Sequence, residues 1–384
     1  MGITMLDTGR RTAFDEQHQM FRETVRKFFE TEAAPHLDRW EHEGLVEKAF
    51  WLKAGEAGLL CPTVPEEYGG LGVDFRFNAV VAEEMAYAMV PAGFTLQSDI
   101  IVDYILNYGT EEQKQKYLPR MVTGELITAI AMTEPGAGSD LQGVRTTARK
   151  EGDEYVINGS KTYITNGQTA DLIIVVAKTN PEEGAKGISL LLVEADAEGF
   201  TRGRNLDKIG IHGGDTSELF FSDVRVKASD LLGQEGHGFY YLMGQLAQER
   251  LSIAVSAQAA AQKGLDLAVA YAKERVAFGK PIITMQTMRH NLAEMAAKVQ
   301  VGWAHLDWCL MRNDKHELTP VEASAAKLFH SDLQWEIVDR ALQVHGGAGY
   351  MNEFPIARLW RDSRVTRIFG GTNEVMKEVI GRSL

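Results

Sequence analysis

An α+β fold made of three consecutive segments, helical, β-rich and helical again, is what this chain of 384 residues predicts. Two observations carry the prediction. Apolar residues recur at helical spacing through the first third and, in much longer runs, from Gly238 onward. Between them lie short β-branched and aromatic runs broken by Gly- and Asp-rich turns, with no helix-period pattern among them. At roughly 100–200 residues per domain the length allows two or three domains. The segments read as an N-terminal α-helical domain (1–124), a middle β domain (125–237) and a C-terminal four-helix bundle (238–384). Strands without intervening helices predict a compact β domain rather than βαβ units.

The first helix is expected in FDEQHQMFRETVRKFFE, where Met20, Phe21, Val25, Phe28 and Phe29 share a face and Asp15 can cap the start. Helical periodicity continues around Phe50–Ala57, Asn78–Met89 and Ile100–Leu106, punctuated by Pro62, Pro65, Gly69-Gly70 and Gly109. In the middle segment, YVINGSKTYITNG predicts a hairpin turning at Asn158-Gly159 and closed by Asn166-Gly167. Leu172–Ala177, Ile188–Val193 and Glu218–Phe221 read as further strands. Four long helices follow, Phe239–Ala272, Ile283–Met311, Pro320–Val344 and Val365–Ile380, the content of an antiparallel bundle.

Composition excludes several classes. With 40 Lys+Arg against 53 Asp+Glu, the net charge of −13 disfavours nucleic acid and anionic membrane as partners. Cys61 and Cys309 lie far apart, without a CxxC, so neither a disulfide framework nor a zinc ribbon is expected. The ten histidines are scattered, HExxH is absent, and no metal is expected. The start MGITMLDTGRRTAFDEQ has no apolar core, and no apolar run approaches the length of a membrane-spanning helix. A cytoplasmic protein is the expectation.

Four stretches could carry chemistry. AMTEPGAGSD (131–140) has small residues and hydroxyls that let a ligand approach the backbone, though taken alone a tight glycine turn between strands is the better reading. TYITNG (162–167) could lay Tyr163 against a planar ring and aim Thr165 at a heteroatom, or be an ordinary amphipathic strand. Glu249 and Arg250 are the only charged residues between His237 and Lys263, on a helix otherwise apolar or small. A buried carboxylate there would have a raised pKa, which suits a general base near neutral pH; a structural ion pair is the alternative. Finally, QVHGGAGYMNEFPIARLWRDSRVTRIFGGTNEV sets glycines beside helix starts, where free amides favour anions.

Taken together, PEEYGG, GTEEQKQKYLP, MTEPGAGSD, ERVAFGKPI, QVHGGAGY and FGGTNEV, in this order, resemble the acyl-CoA dehydrogenase family over nearly the whole chain. The resemblance implies the same α–β–α architecture, with FAD between the β domain and the bundle of a homotetramer or homodimer. It implies that Met132 and Thr133 contact the flavin, Ser139 the pyrophosphate or substrate, and that Tyr163 and Thr165 flank the isoalloxazine. Arg275 and Gln286 would reach the FAD of a neighbouring subunit, with Phe278 also at the cofactor. Gln343, Val344, Gly346 and Gly347 would hold that shared cofactor, and Thr372 and Glu374 its adenosine or pyrophosphate end. Arg250 and Gly371 would join Ser139 at the substrate.

One departure matters. Many relatives carry the catalytic carboxylate just before GT, where this chain has Gly370. In the isovaleryl- and long-chain-type branches it precedes the Arg of the first bundle helix, which here is Glu249. The implied reaction is α,β-desaturation of an acyl-CoA to the trans-2-enoyl-CoA. Glu249 would take the α-proton, the β-hydride would pass to flavin N5, and the Gly370 N–H would bond the thioester oxygen. An electron-transferring flavoprotein would reoxidise the flavin. An acyl-CoA oxidase using dioxygen and a non-catalytic flavin- or acyl-CoA-binding homologue are the competing readings. Placing the base on Glu249 favours longer or branched acyl chains.

Overall fold

The computed structural model describes residues 11–384. Most of the N-terminal stretch read above for its lack of an apolar core lies outside them. The N-terminal domain contains α1 (Glu16–Phe28), α2 (Leu37–Glu43), α3 (Lys48–Glu56), α4 (Phe75–Tyr87), α5 (Val102–Tyr108) and α6 (Glu111–Val122). Asp15 caps α1 as expected, its Oδ1 accepting from the amides of Gln17 and His18 at 3.0 and 3.2 Å. A Thr110–Gln113 capping box starts α6.

The middle domain contributes β1 (Thr128–Ala131), β2 (Thr147–Glu151), β3 (Glu154–Thr165), β4 (Leu172–Lys178), β5 (Ile188–Glu194), β6 (Phe200–Asn205), β7 (Thr216–Lys227) and β8 (Leu231–Leu232). They form one sheet in the order β6-β7-β3-β2-β4-β5-β8, with β1 parallel to β4. Strand β4 shows why its sequence is an unbroken apolar run. Leu172, Ile174 and Val176 enter the large core shared with the helices, while Ile173, Val175 and Ala177 enter a second core on the other face.

The hairpin expected at Asn158-Gly159 does not form. Strand β3 runs straight through, and the pair is a bulge opposite β7, where the register shifts between Ile157 and Gly159. Asn158 is held across the sheet by Asp223, exchanging bonds at 2.9 Å with its carboxylate and amide. The chain turns only at Asn166-Gly167, where Asn166 has φ of 60°.

The bundle is α7 (Gly238–Glu274), the small hairpin β9 (Val276–Ala277) and β10 (Lys280–Pro281), α8 (Gln286–Asp314), α9 (Pro320–His345), α10 (Pro355–Ser363) and α11 (Asn373–Gly381). The expected fourth helix, Val365–Ile380, is broken. Gly370 and Gly371 both adopt positive φ, which no right-handed helix accommodates. Thr372 then caps a new helix by accepting from the Val375 amide. That break puts the FGGT loop at the surface of the bundle instead of inside a helix.

Candidate active site

Helix α7 is 37 residues long, and Ala254, Ala257, Ala259, Ala260, Ala261 and Gly264 let it lie close against its neighbours. Glu249 sits within this packing, 7% exposed. Tyr104 on α5 donates its hydroxyl to Glu249 Oε1 at 2.8 Å. Burial pushes the Glu249 carboxyl up to about 7, against the pull of the Tyr104 bond and the Arg250 charge, and Asp103 adds to the rise. Alone in sequence, Glu249 is not alone in space. Burial likewise raises Asp99 and Asp103 to about 7. Gln248 donates to the Asp103 carboxylate, and Asn78 donates to Asp99 Oδ1 at 3.0 Å.

Gly370 faces the same stretch of α7. A Cβ built on it would approach Ile253 Cδ1 to 2.2 Å, and Ile253 lies one helical turn beyond Glu249 on the same side. The Gly370 and Gly371 N–H groups have no acceptor among the described residues. The Gly370 loop therefore lies against α7 about one helical turn from the buried Glu249 carboxyl. Arg250, beside Glu249 in the chain, is buried and donates to Ser324 Oγ of α9 at 2.9 Å.

The β domain presents a second surface. Met132 and Thr133 follow β1, and the Thr133 carbonyl accepts from the Thr162 amide at 2.9 Å. Lys161, buried, donates to the carbonyls of Met132 (3.1 Å) and Val176 (2.7 Å) and to Glu134 Oε1 (2.8 Å). Glu134 in turn accepts from the amides of Arg145 and Thr146. A second irregularity in β3, between Lys161 and Ile164, gives Tyr163 φ of 60° and leaves its ring 68% exposed, with Thr165 exposed beside it and Ile164 buried. A bulky residue held in that region is strained, as ligand-contacting positions often are. Ser139 lies on an exposed turn whose Gly136 and Gly138 have open space around them. An exposed aromatic face, hydroxyls and uncrowded glycine backbone fit a flavin with its diphosphate.

The remaining expected residues lie elsewhere. Arg275 caps the far end of α7. At the rise of an α-helix it stands roughly 40 Å from Glu249. Phe278, with φ of 51°, is 95% exposed at the tip of the β9–β10 hairpin, and Gln286 opens α8. Gln343, Gly346 and Gly347 are exposed at the end of α9, where His345 stacks on Tyr271 with centroids 4.4 Å apart. Val344 is buried there and can offer only its backbone. Thr372 spends its hydroxyl capping α11, and Glu374 is exposed within the first turn of that helix. Arg275, Phe278 and the Gln343–Gly347 stretch thus gather at the C-terminal end of α7, away from Glu249.

Sequence reading missed Tyr104, Asp99, Asp103, Lys161 and Lys327. The i, i+4 spacing of Asp99 and Asp103, and Lys327 on α9 inside an apolar run, were the available signals; Lys161, between Ser160 and Thr162, gave none.

The three-part fold and the exposed aromatic and glycine surface of the β domain define a flavin-type oxidoreductase, with a carboxyl buried on α7. Residues 15–125, 129–224 and 236–384 match the acyl-CoA dehydrogenase N-terminal, middle and C-terminal domain models. The chain is 50% identical over 383 residues to the mitochondrial long-chain specific acyl-CoA dehydrogenase of Sus scrofa, covering 99% of this chain and 89% of that protein. A crystal structure of acyl-CoA dehydrogenase from Geobacillus kaustophilus superposes with TM-score 0.96 at 50% identity, covering 97% and 99% of the two chains. A glutaryl-CoA dehydrogenase from Mycobacterium smegmatis, solved in complex with FADH2, gives TM-score 0.92 at 28% identity, covering 98% and 96%. The chain belongs to the acyl-CoA dehydrogenase family, a family of FAD-dependent oxidoreductases, and its activity is acyl-CoA dehydrogenation. Among the described residues no helix is long and apolar enough to cross a membrane.

Proposed function

We propose that Glu249 is the base that removes the α-proton of a long-chain acyl-CoA, and that the Gly370 N–H bonds the thioester oxygen. The observation that carries this is the convergence of a carboxyl raised to about 7 with an unpaired amide across one turn of α7. A base poised near neutral pH is matched to the task. Tyr104 orients the carboxylate through Oε1. The Gly370 amide stabilises the charge that develops on the thioester oxygen as the α-proton leaves. When bound, FAD supplies the acceptor for the β-hydride.

Met132, Thr133, Tyr163 and Thr165 would hold the flavin ring, and Ser139, Thr372 and Glu374 its polar extension. The distance from Glu249 to Arg275 supports a second copy supplying Arg275, Phe278, Gln286, Gln343, Gly346, Gly347 and the Val344 backbone, hence a homodimer or homotetramer. An electron-transferring flavoprotein is the proposed acceptor. Identity to the long-chain enzyme of Sus scrofa and the placement of Glu249 both support long acyl chains. Buried, unpaired Cys61 and Cys309 suit a reducing compartment such as the cytoplasm.

Glu249→Gln tests the reading. FAD content should persist while anaerobic bleaching of the flavin by the best acyl-CoA slows by roughly 10²–10⁴-fold. Wild-type bleaching rates in that variant would make Glu249 structural and send the search for the base elsewhere.

A further inference from the structure

Lys327 lies on α9, wholly buried, and its ammonium donates to the Gly371 carbonyl and to Asn373 Oδ1, each at 2.8 Å. Both acceptors are neutral and both belong to the segment that carries Gly370. Among the described residues Lys327 forms no ion pair; Asp332, its neighbour on α9, is engaged by Arg367 at 2.7 Å and by Asn373. Burying a cation without a paired anion is costly, and an apolar residue of similar volume would spare that cost. A purely structural pin does not call for a charge. The loop itself is soft: two consecutive glycines at positive φ, with no acceptor for either N–H among the described residues. Its orientation therefore depends on what grips Gly371 and Asn373.

We propose that Lys327 is a positioning residue for the dehydrogenation: it fixes the loop so that the Gly370 N–H meets the thioester oxygen, and its charge favours the enolate-like form of the substrate. This rests on the assignment of Gly370 given under Proposed function. A positive charge one residue from the donor amide, carried on a wholly buried side chain, is poorly screened by water and acts more strongly on a developing oxyanion than a solvated one would. The charges facing it are Arg250 from α7, Asp332 on its own helix, Arg367 from the turn after α10 and Glu374 from α11. Burial is the main influence on its titration, bringing it down to about 8.

The test uses the FAD-loaded enzyme and acetoacetyl-CoA, whose α-carbon is acidic and which has no hydride to give at its oxidised β-carbon. The readout is the pH at which the bound ligand becomes its enolate, followed by absorbance. Wild type should favour the enolate relative to free ligand. Lys327→Met and Lys327→Gln should both retain FAD, bind the neutral ligand as wild type does, and lose about 10–100-fold of the enolate preference. With substrate, kcat should fall by a similar factor and KM should change little.

Gln can still donate a hydrogen bond but carries no charge, so wild-type enolate preference in Lys327→Gln would overturn the proposal. If wild type itself does not favour the enolate, the Gly370 assignment fails instead. Should both variants misfold, the wild-type rate profile decides: flavin reduction should decline as pH rises through about 8. A rate flat to well above that value would overturn the proposal.

Discussion

Lys161 in the β domain and Lys327 in the bundle are both buried, both grip the carbonyl of a loop that carries site residues, and both are brought by burial down to about 8. They differ in what stands opposite. Lys161 meets Glu134, whose carboxylate also gathers two amides; Lys327 meets only a carbonyl and an amide oxygen. The first arrangement cancels its own charge and is a clamp on the Met132–Glu134 turn. The second leaves its charge uncancelled beside the FGGT loop. The same residue type thus serves shape in one half of the site and electrostatics in the other.

The largest effect that could break this comparison belongs to Lys161. Lys161→Met strands Glu134 as a buried, unpaired carboxylate, and should cost about 3–5 kcal/mol of stability by denaturant titration, with loss of FAD. The Glu134 carboxyl lies below its ordinary value of 4.5: burial opposes this, but the Lys161 and Thr146 bonds outweigh it. A depressed carboxyl stabilises above its unfolded value and loses that contribution as pH falls through the folded one. The penalty should therefore shrink on acidification. Adding Glu134→Leu should restore part of the loss, limited by the stranded Arg145 and Thr146 amides. A cost under about 1 kcal/mol for the single variant would mean that Lys161 is no clamp.

Next in size is the exchange of the base between its two family positions. In a Glu249→Gln background, Gly370→Glu alone should recover little, because Gly370 is held at positive φ and Ile253 occupies the space its Cβ would need. Adding Ile253→Ala clears that space, and the triple variant should reduce its flavin at least about tenfold faster than the double, since an error of about 1 Å alone costs on the order of 10²-fold. Equal single-turnover rates for double and triple variants would clear Ile253 of that role.

The helices and their caps were legible because periodicity and Asp15 or Thr110 are local signals. The buried carboxyl at Glu249 was legible because a single charged pair in an apolar helix is conspicuous in one dimension. The bulges in β3 were not, since Asn158-Gly159 carries the same letters as a tight turn, and only pairing with β7 decides between them. The break at Gly370-Gly371 was legible in principle but outweighed by the apolar residues on either side. Tyr104 and Lys327 act across 145 and 44 residues of chain, contacts that no local pattern encodes.

The smallest effect tests whether the acidic surroundings of Glu249 tune it in the sense opposite to Lys327. Asp103 is one of the groups that raise the Glu249 carboxyl, behind burial itself. Asp103→Asn keeps an acceptor for Gln248 and removes the charge, so the acidic limb of the kcat/KM profile should move down, by less than about one unit because burial remains. Stability supplies an independent check with a definite sign. The Asp103 carboxyl is raised from 3.8 to about 7, so the folded state holds its proton where the unfolded state has lost it. Its stabilising contribution is complete below 3.8 and is lost as pH rises through about 7. Asn does not titrate. The stability of Asp103→Asn relative to wild type should therefore grow across that window and level off above it. A relative stability that stays flat from pH 4 to pH 8 would mean that Asp103 ionises freely, and that the rise of Glu249 owes nothing to it.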